Sequence, residues 1–192
     1  MFGPVRSLEI LRQGRRHWEQ GPDLCFHINQ ACAVKISEHV ILIIGGYGSN
    51  KILKFDTRTS QCTELPIKLQ TVRFNHACHM HNQKVIISGG DTGPNVSDTT
   101  EVIDLNEEMT IRYAGNLSVE RYAHGMGLVT MYNSSVLIAF GGNNIRDGRI
   151  DSVEVWDPND ETWTISDSMK LSRANFYFGY ATLPQALICP SQ

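Results

Sequence analysis

At 192 residues, 41% hydrophobic and 19% charged, the chain is long enough to bury the core of one domain. Its 17 basic and 20 acidic side chains leave a formal charge of −3, which argues against general attraction to nucleic-acid phosphates. No apolar run reaches the length of a membrane span, so no membrane partner is expected. Residues 1–21 carry Arg6, Arg12, Arg15 and Arg16 without a continuous apolar stretch, so they do not read as a secretory leader.

In chain order, three apolar runs each close on two glycines. They are Val40–Ile44 with Gly45 and Gly46, Val85–Ser88 with Gly89 and Gly90, and Val136–Phe140 with Gly141 and Gly142. Their β-branched content and glycine boundaries predict buried strands rather than helices. Upstream stand Arg73-Phe74-Asn75-His76, Arg121-Tyr122-Ala123-His124 and Arg173-Ala174-Asn175-Phe176. Downstream of the third glycine pair comes Val153-Glu154-Val155-Trp156-Asp157-Pro158, followed by Trp163. The matching segments end in Asp56 with Cys62, and in Asp104 with Thr110, so the tryptophan is kept only in the third unit. Asp157-Pro158 predicts a turn in which the carboxylate accepts amide protons from just ahead.

Both ends continue the pattern. Ser7–Arg12 lies over Ser152–Asp157 without a gap, which puts Trp18 on Trp163. Leu187-Ile188-Cys189-Pro190 stands where the next apolar strand and glycine pair would fall.

A repeat of about 50 residues with arginine, histidine, an apolar strand, Gly-Gly, an aromatic-Asp-Pro turn and a tryptophan resembles the Kelch family. The resemblance implies an all-β fold, a Kelch-type β-propeller or a fragment of one. Three complete four-stranded blades are expected, with half-blades at each end. Strands c and d of a partial blade fall at 1–24, blade 1 at 25–66, blade 2 at 67–117, blade 3 at 118–169, and strands a and b of a partial blade at 170–192. Gly45, Gly46, Gly89, Gly90, Gly141 and Gly142 read as structural, allowing close backbone approach, and Trp18, Trp156 and Trp163 as apolar area between blades. The two ends add up to one composite blade, so the chain is either a window cut from a larger propeller or closes alone or through another copy, and as an open arc the isolated chain is expected to associate.

The resemblance further implies a non-catalytic module that binds a protein or peptide through loops on one face. Those loops supply Tyr47, Asn50, Asp91, Asn95, Asn143, Asn144, Arg146 and Arg149, with Arg73, Arg121 and Arg173 at the ends of the other loops of that face. Arginines around one rim suit an acidic peptide. Substrate recognition within a ubiquitin ligase adaptor is an analogy from fold. The alternatives are a propeller-class enzyme, such as a copper oxidase or sugar-acid isomerase, and an extracellular adhesion or receptor fragment.

No catalytic residue, metal site or cofactor is assigned. The sequence lacks GxSxG and HExxH, and along a strand His76 and Cys78 face away from His79 and His81. Cys25, Cys32, Cys62, Cys78 and Cys189 are odd in number without CxxC spacing, and are expected as free thiols in a reduced, cytoplasmic compartment. Against that stand three glycosylation acceptor patterns, at Asn95, Asn116 and Asn133, which favour the extracellular alternative.

Overall fold

The computed structural model describes residues 6–131 and 134–180, so the expected C-terminal strand at 187–190 lies outside the described residues. The described residues are all-β, and none of them forms a helix long and apolar enough to cross a membrane. A short hairpin, β1 (Glu9–Ile10) with β2 (Glu19–Gln20), comes first. The first four-stranded sheet follows: β3 (Cys32–Lys35), β4 (Val40–Ile44), β5 (Lys51–Asp56) and β6 (Gln61–Lys68). The second is β7 (Ala77–His81), β8 (Lys84–Ser88), β9 (Thr100–Asp104) and β10 (Thr110–Ala114). The third joins β11 (Gly125–Met131), β12 (Ser134–Phe140), β15 (Ser152–Asp157) and β16 (Thr162–Lys170). Between β12 and β15 sits a small hairpin, β13 (Asn143–Asn144) with β14 (Gly148–Arg149). Each sheet is an antiparallel meander in chain order.

The sheets pack face to face, which is why their central strands are apolar on both sides. Val85, Ile87 and Ile103 of the second sheet meet Leu42, Ile44 and Ile52 of the first. Ile86 and Val102, on the other face, meet Met126, Leu137, Ala139, Trp156 and Trp163 of the third. Each fully buried aliphatic side chain contributes about 1.5–3 kcal/mol.

A backbone relay links the starts of successive sheets. Asn75 N donates to Gln30 O (2.9 Å), Ala123 N to Asn75 O (2.7 Å), and Tyr177 N to Ala123 O (3.1 Å). All four residues have positive φ, between 51° and 57°. The glycine pairs join the same seam: Gly46, Gly90 and Gly142 donate to the carbonyls of Arg73, Arg121 and Asn175 at 2.8–2.9 Å. A Cβ on Gly89 would stand 2.4 Å from Arg121 O, so this close approach requires glycine.

This seam corrects the repeat alignment. Leu69, Leu117 and Leu171 make equivalent backbone bonds, to Asn50, Asp98 and Asp151, and four residues beyond them come Arg73, Arg121 and Asn175. Arg173 therefore lies two residues before the position it was expected to fill. Likewise Ile111, not Thr110, pairs with Ile103 where Trp163 pairs with Trp156, because the second sheet's turn is one residue longer. The Asp157 carboxylate accepts from the amides of Asn159 (2.8 Å) and Asp160 (3.4 Å), as its Asp-Pro sequence predicts. Asp56 repeats the device with Arg58 and Thr59.

Two further expectations change. The N-terminal register is the predicted one, Ile10 opposite Glu19 matching Val155 opposite Thr164. Trp18, however, is 62% exposed, because no sheet among the described residues covers it. The free-thiol expectation also fails: Cys25 is bonded to Cys62, and Cys32 to Cys78. Cys32–Cys78 ties the first strands of neighbouring sheets together. Cys189 lies outside the described residues.

Candidate binding face

The loops after β4, β8 and β12 and the connections leading into β7 and β11 share one end of the sheets, joined there by backbone pairing of Phe74 with Asp91 and of Tyr122 with Asn143. Sequence reasoning places Arg73 and Arg121 on this rim, and the structure places them inside, both 0% exposed. Arg73 donates to Glu101 (2.8 Å), to the carbonyls of Gly89 and Thr99, and to the Thr99 hydroxyl. Arg121 repeats this with Glu154 (2.7 Å), Gly141, and the carbonyl and hydroxyl of Ser152. Each carboxylate also accepts two amides, of Gln70 and Thr71 or of Ser118 and Val119. Burial pushes both guanidinium groups below their ordinary pKa, and the paired carboxylates push back. These arginines clamp the sheet edge and are not available to a partner.

The histidines after them are interior as well. Burial, then the nearby Arg73, holds His76 down to about 3, and burial, then the nearby Arg121, pushes His124 well below its usual value, which favours the neutral ring in both. His124 Nε2 meets the Ser88 hydroxyl at 3.1 Å. Cys78 is consumed by its disulfide, while His79 and His81 line a separate hollow near the opposite end of β7. No group of three or more metal-ligating side chains converges among the described residues.

What remains on the face is aromatic and charged, with arginines and, around Arg146, the carboxylates of Asp98, Glu120 and Asp147. Tyr47 is 69% exposed and sits edge-on to Phe74, with centroids 5.1 Å apart. Tyr122 lies against Phe176 and Tyr177, and Arg149 stands 5.4 Å over the Phe176 ring, close enough for a cation–π contact. Tyr177 is 60% exposed, and its hydroxyl accepts from Asn75. Ile145, at the tip of the β13–β14 hairpin, is 74% exposed. Arg146, Arg149 and Arg173 are exposed and form no ion pair among the described residues. A hollow of about 390 Å³ opens beside Tyr177, lined also by Gln30, Asn75 and Ala123 of the backbone relay and by His76 and His124.

The other expected residues divide. Asn95 is exposed on its loop, whereas Asn144 is buried and holds the Asp147 amide at 2.6 Å. Asn50 donates to Leu69 O, Asp91 accepts from Gly93 N, and Asn143 donates to the Tyr122 hydroxyl. These three shape the loops. Phe74, Tyr122, Phe176 and Tyr177 are face residues that sequence reasoning missed. The signal for two of them was the aromatic residue directly after each buried arginine.

No family model matches this chain, and no curated protein matches it significantly.

Proposed function

We propose that the three sheets are consecutive blades of a Kelch-type β-propeller and that the chain is a non-catalytic interaction module docking a protein or peptide on the face just described. Three in-phase meanders, the relay of backbone bonds through their starts, and the unpaired β1–β2 hairpin support the propeller reading. On that reading the hairpin is completed by further blades or by a second copy.

The observation that carries the binding reading is the exposure of Tyr47, Ile145 and Tyr177 beside three arginines that have no acidic partner among the described residues. Tyrosine and arginine are the side chains that most often dominate interface energy. The charge favours an acidic segment with at least one apolar anchor. The two disulfides favour an oxidising compartment, and with it the extracellular alternative over the cytoplasmic ubiquitin ligase adaptor. The groups with strongly shifted pKa values divide: Glu161 is paired with Arg112 and Lys84 away from this face, whereas His76 and His124 are buried in the lining of its hollow, and the interaction-module reading takes these two as packing residues at the starts of the sheets.

Selection of peptides from a random displayed library against the folded chain tests this reading. Binders are expected to be acidic, to weaken at least tenfold on a Tyr47→Ser/Arg149→Ser variant, and to be indifferent to Glu38→Ala in the turn at the other end of the first sheet. Binders insensitive to the face variant would overturn the assignment.

A further inference from the structure

The sheets leave two polar features of the loop face unexplained by folding or by docking: the exposed amides of Asn95 and Asn116. Asn95-Val96-Ser97 and Asn116-Leu117-Ser118 both satisfy the acceptor rule, with no proline between the asparagine and the serine. In each triplet the middle residue, Val96 or Leu117, is buried, and the asparagine beside it points away from the core. The Asn95 side chain makes no hydrogen bond among the described residues, and its loop is held without it, by Thr92 bonding Asn95 O and by Asp91 bonding Gly93 N. Asn116 makes a single long contact, 3.4 Å to Asp98 at the surface. Neither amide would have to be withdrawn from the core to be modified.

A second, independent observation concerns compartment. Four of the five cysteines are joined in two disulfides, which persist where N-linked transfer also occurs. We infer that Asn95 and Asn116 carry N-linked glycans. The inference rests on the oxidising-compartment reading above. In the transfer step, the amide Nδ2 bonds to the anomeric carbon of a lipid diphosphate-linked oligosaccharide. The anomeric C–O bond to the diphosphate breaks, the lipid diphosphate leaves, and the amide gives up one proton. Both attachment points lie on loops of the β8–β9 and β10–β11 connections, so the sugar would crowd the second sheet's part of the face rather than the cluster around Arg149 and Phe176.

The test uses the full-length protein isolated from cells that express it. Thiol alkylation before and after reduction reads the disulfides. Digestion with peptide N-glycosidase in heavy-oxygen water reads the asparagines, since each released glycan leaves a labelled aspartate. Both sites should be labelled, and Asn95→Gln and Asn116→Gln should each remove one mobility step, with the double variant losing two. Bonded cysteines with unlabelled asparagines would sink the glycan proposal and leave the compartment reading standing. Alkylatable cysteines and unlabelled asparagines would sink both.

Discussion

In the second and third sheets, an arginine four residues beyond a buried leucine reaches a buried glutamate: Arg73 with Glu101, Arg121 with Glu154. In the first sheet the same positions hold Ile28, four residues beyond Leu24, and Leu53, opposite Ile43 as Glu101 is opposite Ile87. The glutamates do more than neutralise a charge, since they also hold the amides of Gln70 and Ser118. In the first sheet that amide belongs to Cys25, whose sulfur is bonded to Cys62 in β6. One connection, between the last strand of a sheet and the first of the next, is thus fastened in two ways: by a buried ion pair that grips backbone, or, where both positions are apolar, by a covalent tie. A buried ion pair is costly unless its other donors find acceptors, which is why the electrostatic version surrounds the guanidinium with carbonyl and hydroxyl oxygens, three at Arg73 and four at Arg121, and the apolar version needs none.

The largest effect should come from breaking one electrostatic clamp. Glu154→Ala leaves Arg121 buried without its counter-charge and strips the Ser118 and Val119 amides of their acceptor. A loss of about 3–5 kcal/mol is expected in denaturant unfolding. Converting the clamp instead, with Arg73→Ile/Glu101→Leu, imitates the first sheet and should cost less than either single change. It should still cost about 1–3 kcal/mol, because the Gln70 and Thr71 amides lose their acceptor. If the double variant is as damaging as the single ones, the two clamps are not interchangeable solutions.

Cutting the covalent clamp comes next. Cys25→Ser/Cys62→Ser opens a 37-residue closure, worth about 4 kcal/mol on chain-entropy grounds. Amide hydrogen exchange should show protection lost first in β6 and β3, with β11, β12, β15 and β16 little changed. Uniform loss across all three sheets would mean that the first sheet does not depend on its own fastening.

Much of this frame was legible in the sequence, and the failures have a common cause. The glycine pairs, the apolar strands and the Asp turns of the first and third sheets are local features, and the structure places them in the expected register down to Ile10 opposite Glu19. Arg73 and Arg121 were read by residue type as rim donors, because nothing local to either arginine reveals a glutamate 28 or 33 residues away. Arg173 was misplaced for a related reason. Aligning on arginine ignored the leucine that sets the phase, so Asn175 was passed over. The disulfides were invisible because Cys32 and Cys78 meet only through the packing of two sheets. The aromatic face was within reach, since Phe74 and Tyr122 each follow the arginine, but only burial of the arginine turns attention to its neighbour.

The comparison sharpens further at the tryptophans. Trp163 is buried between the second and third sheets, and its Nε1 donates to the Thr100 hydroxyl at 2.9 Å, whereas Trp18 occupies the matching place in the hairpin and is exposed. Trp163→Phe loses that bond and part of the ring, so a cost of about 1–2 kcal/mol is expected. Trp18→Phe should change stability by no more than about 0.5 kcal/mol. A substantial loss at Trp18 in the isolated chain would reveal a covering surface, most simply another copy, and a dependence of that loss on protein concentration would identify it.

A modest effect separates the two sheet boundaries by pH. Glu161, in the turn before β16, receives Lys84 Nζ (2.6 Å) and both terminal nitrogens of Arg112 (2.5 and 2.7 Å) from the second sheet, with Asp104 closing the network. The hydrogen bonds from Arg112 first, and then those from Lys84, hold its carboxyl down at about 2 against an ordinary 4.5, burial opposing them. The matching turn positions of the first and second sheets, marked by the same positive φ, are Ser60 and Met109, which carry no charge. A carboxyl whose pKa is lower in the folded than in the unfolded state stabilises fully above its unfolded value and loses that contribution as pH falls towards the folded one. Glu161→Gln should therefore cost about 1 kcal/mol at neutral pH, as a half-exposed network allows. The gap between wild type and variant should close steadily between about pH 5 and pH 2. Added salt should narrow it at neutral pH, because the network is partly open to solvent. A gap that stays constant across that pH window would mean the Glu161 carboxylate is not what the second and third sheets share, leaving their boundary to the tryptophan, the apolar core and the backbone seam.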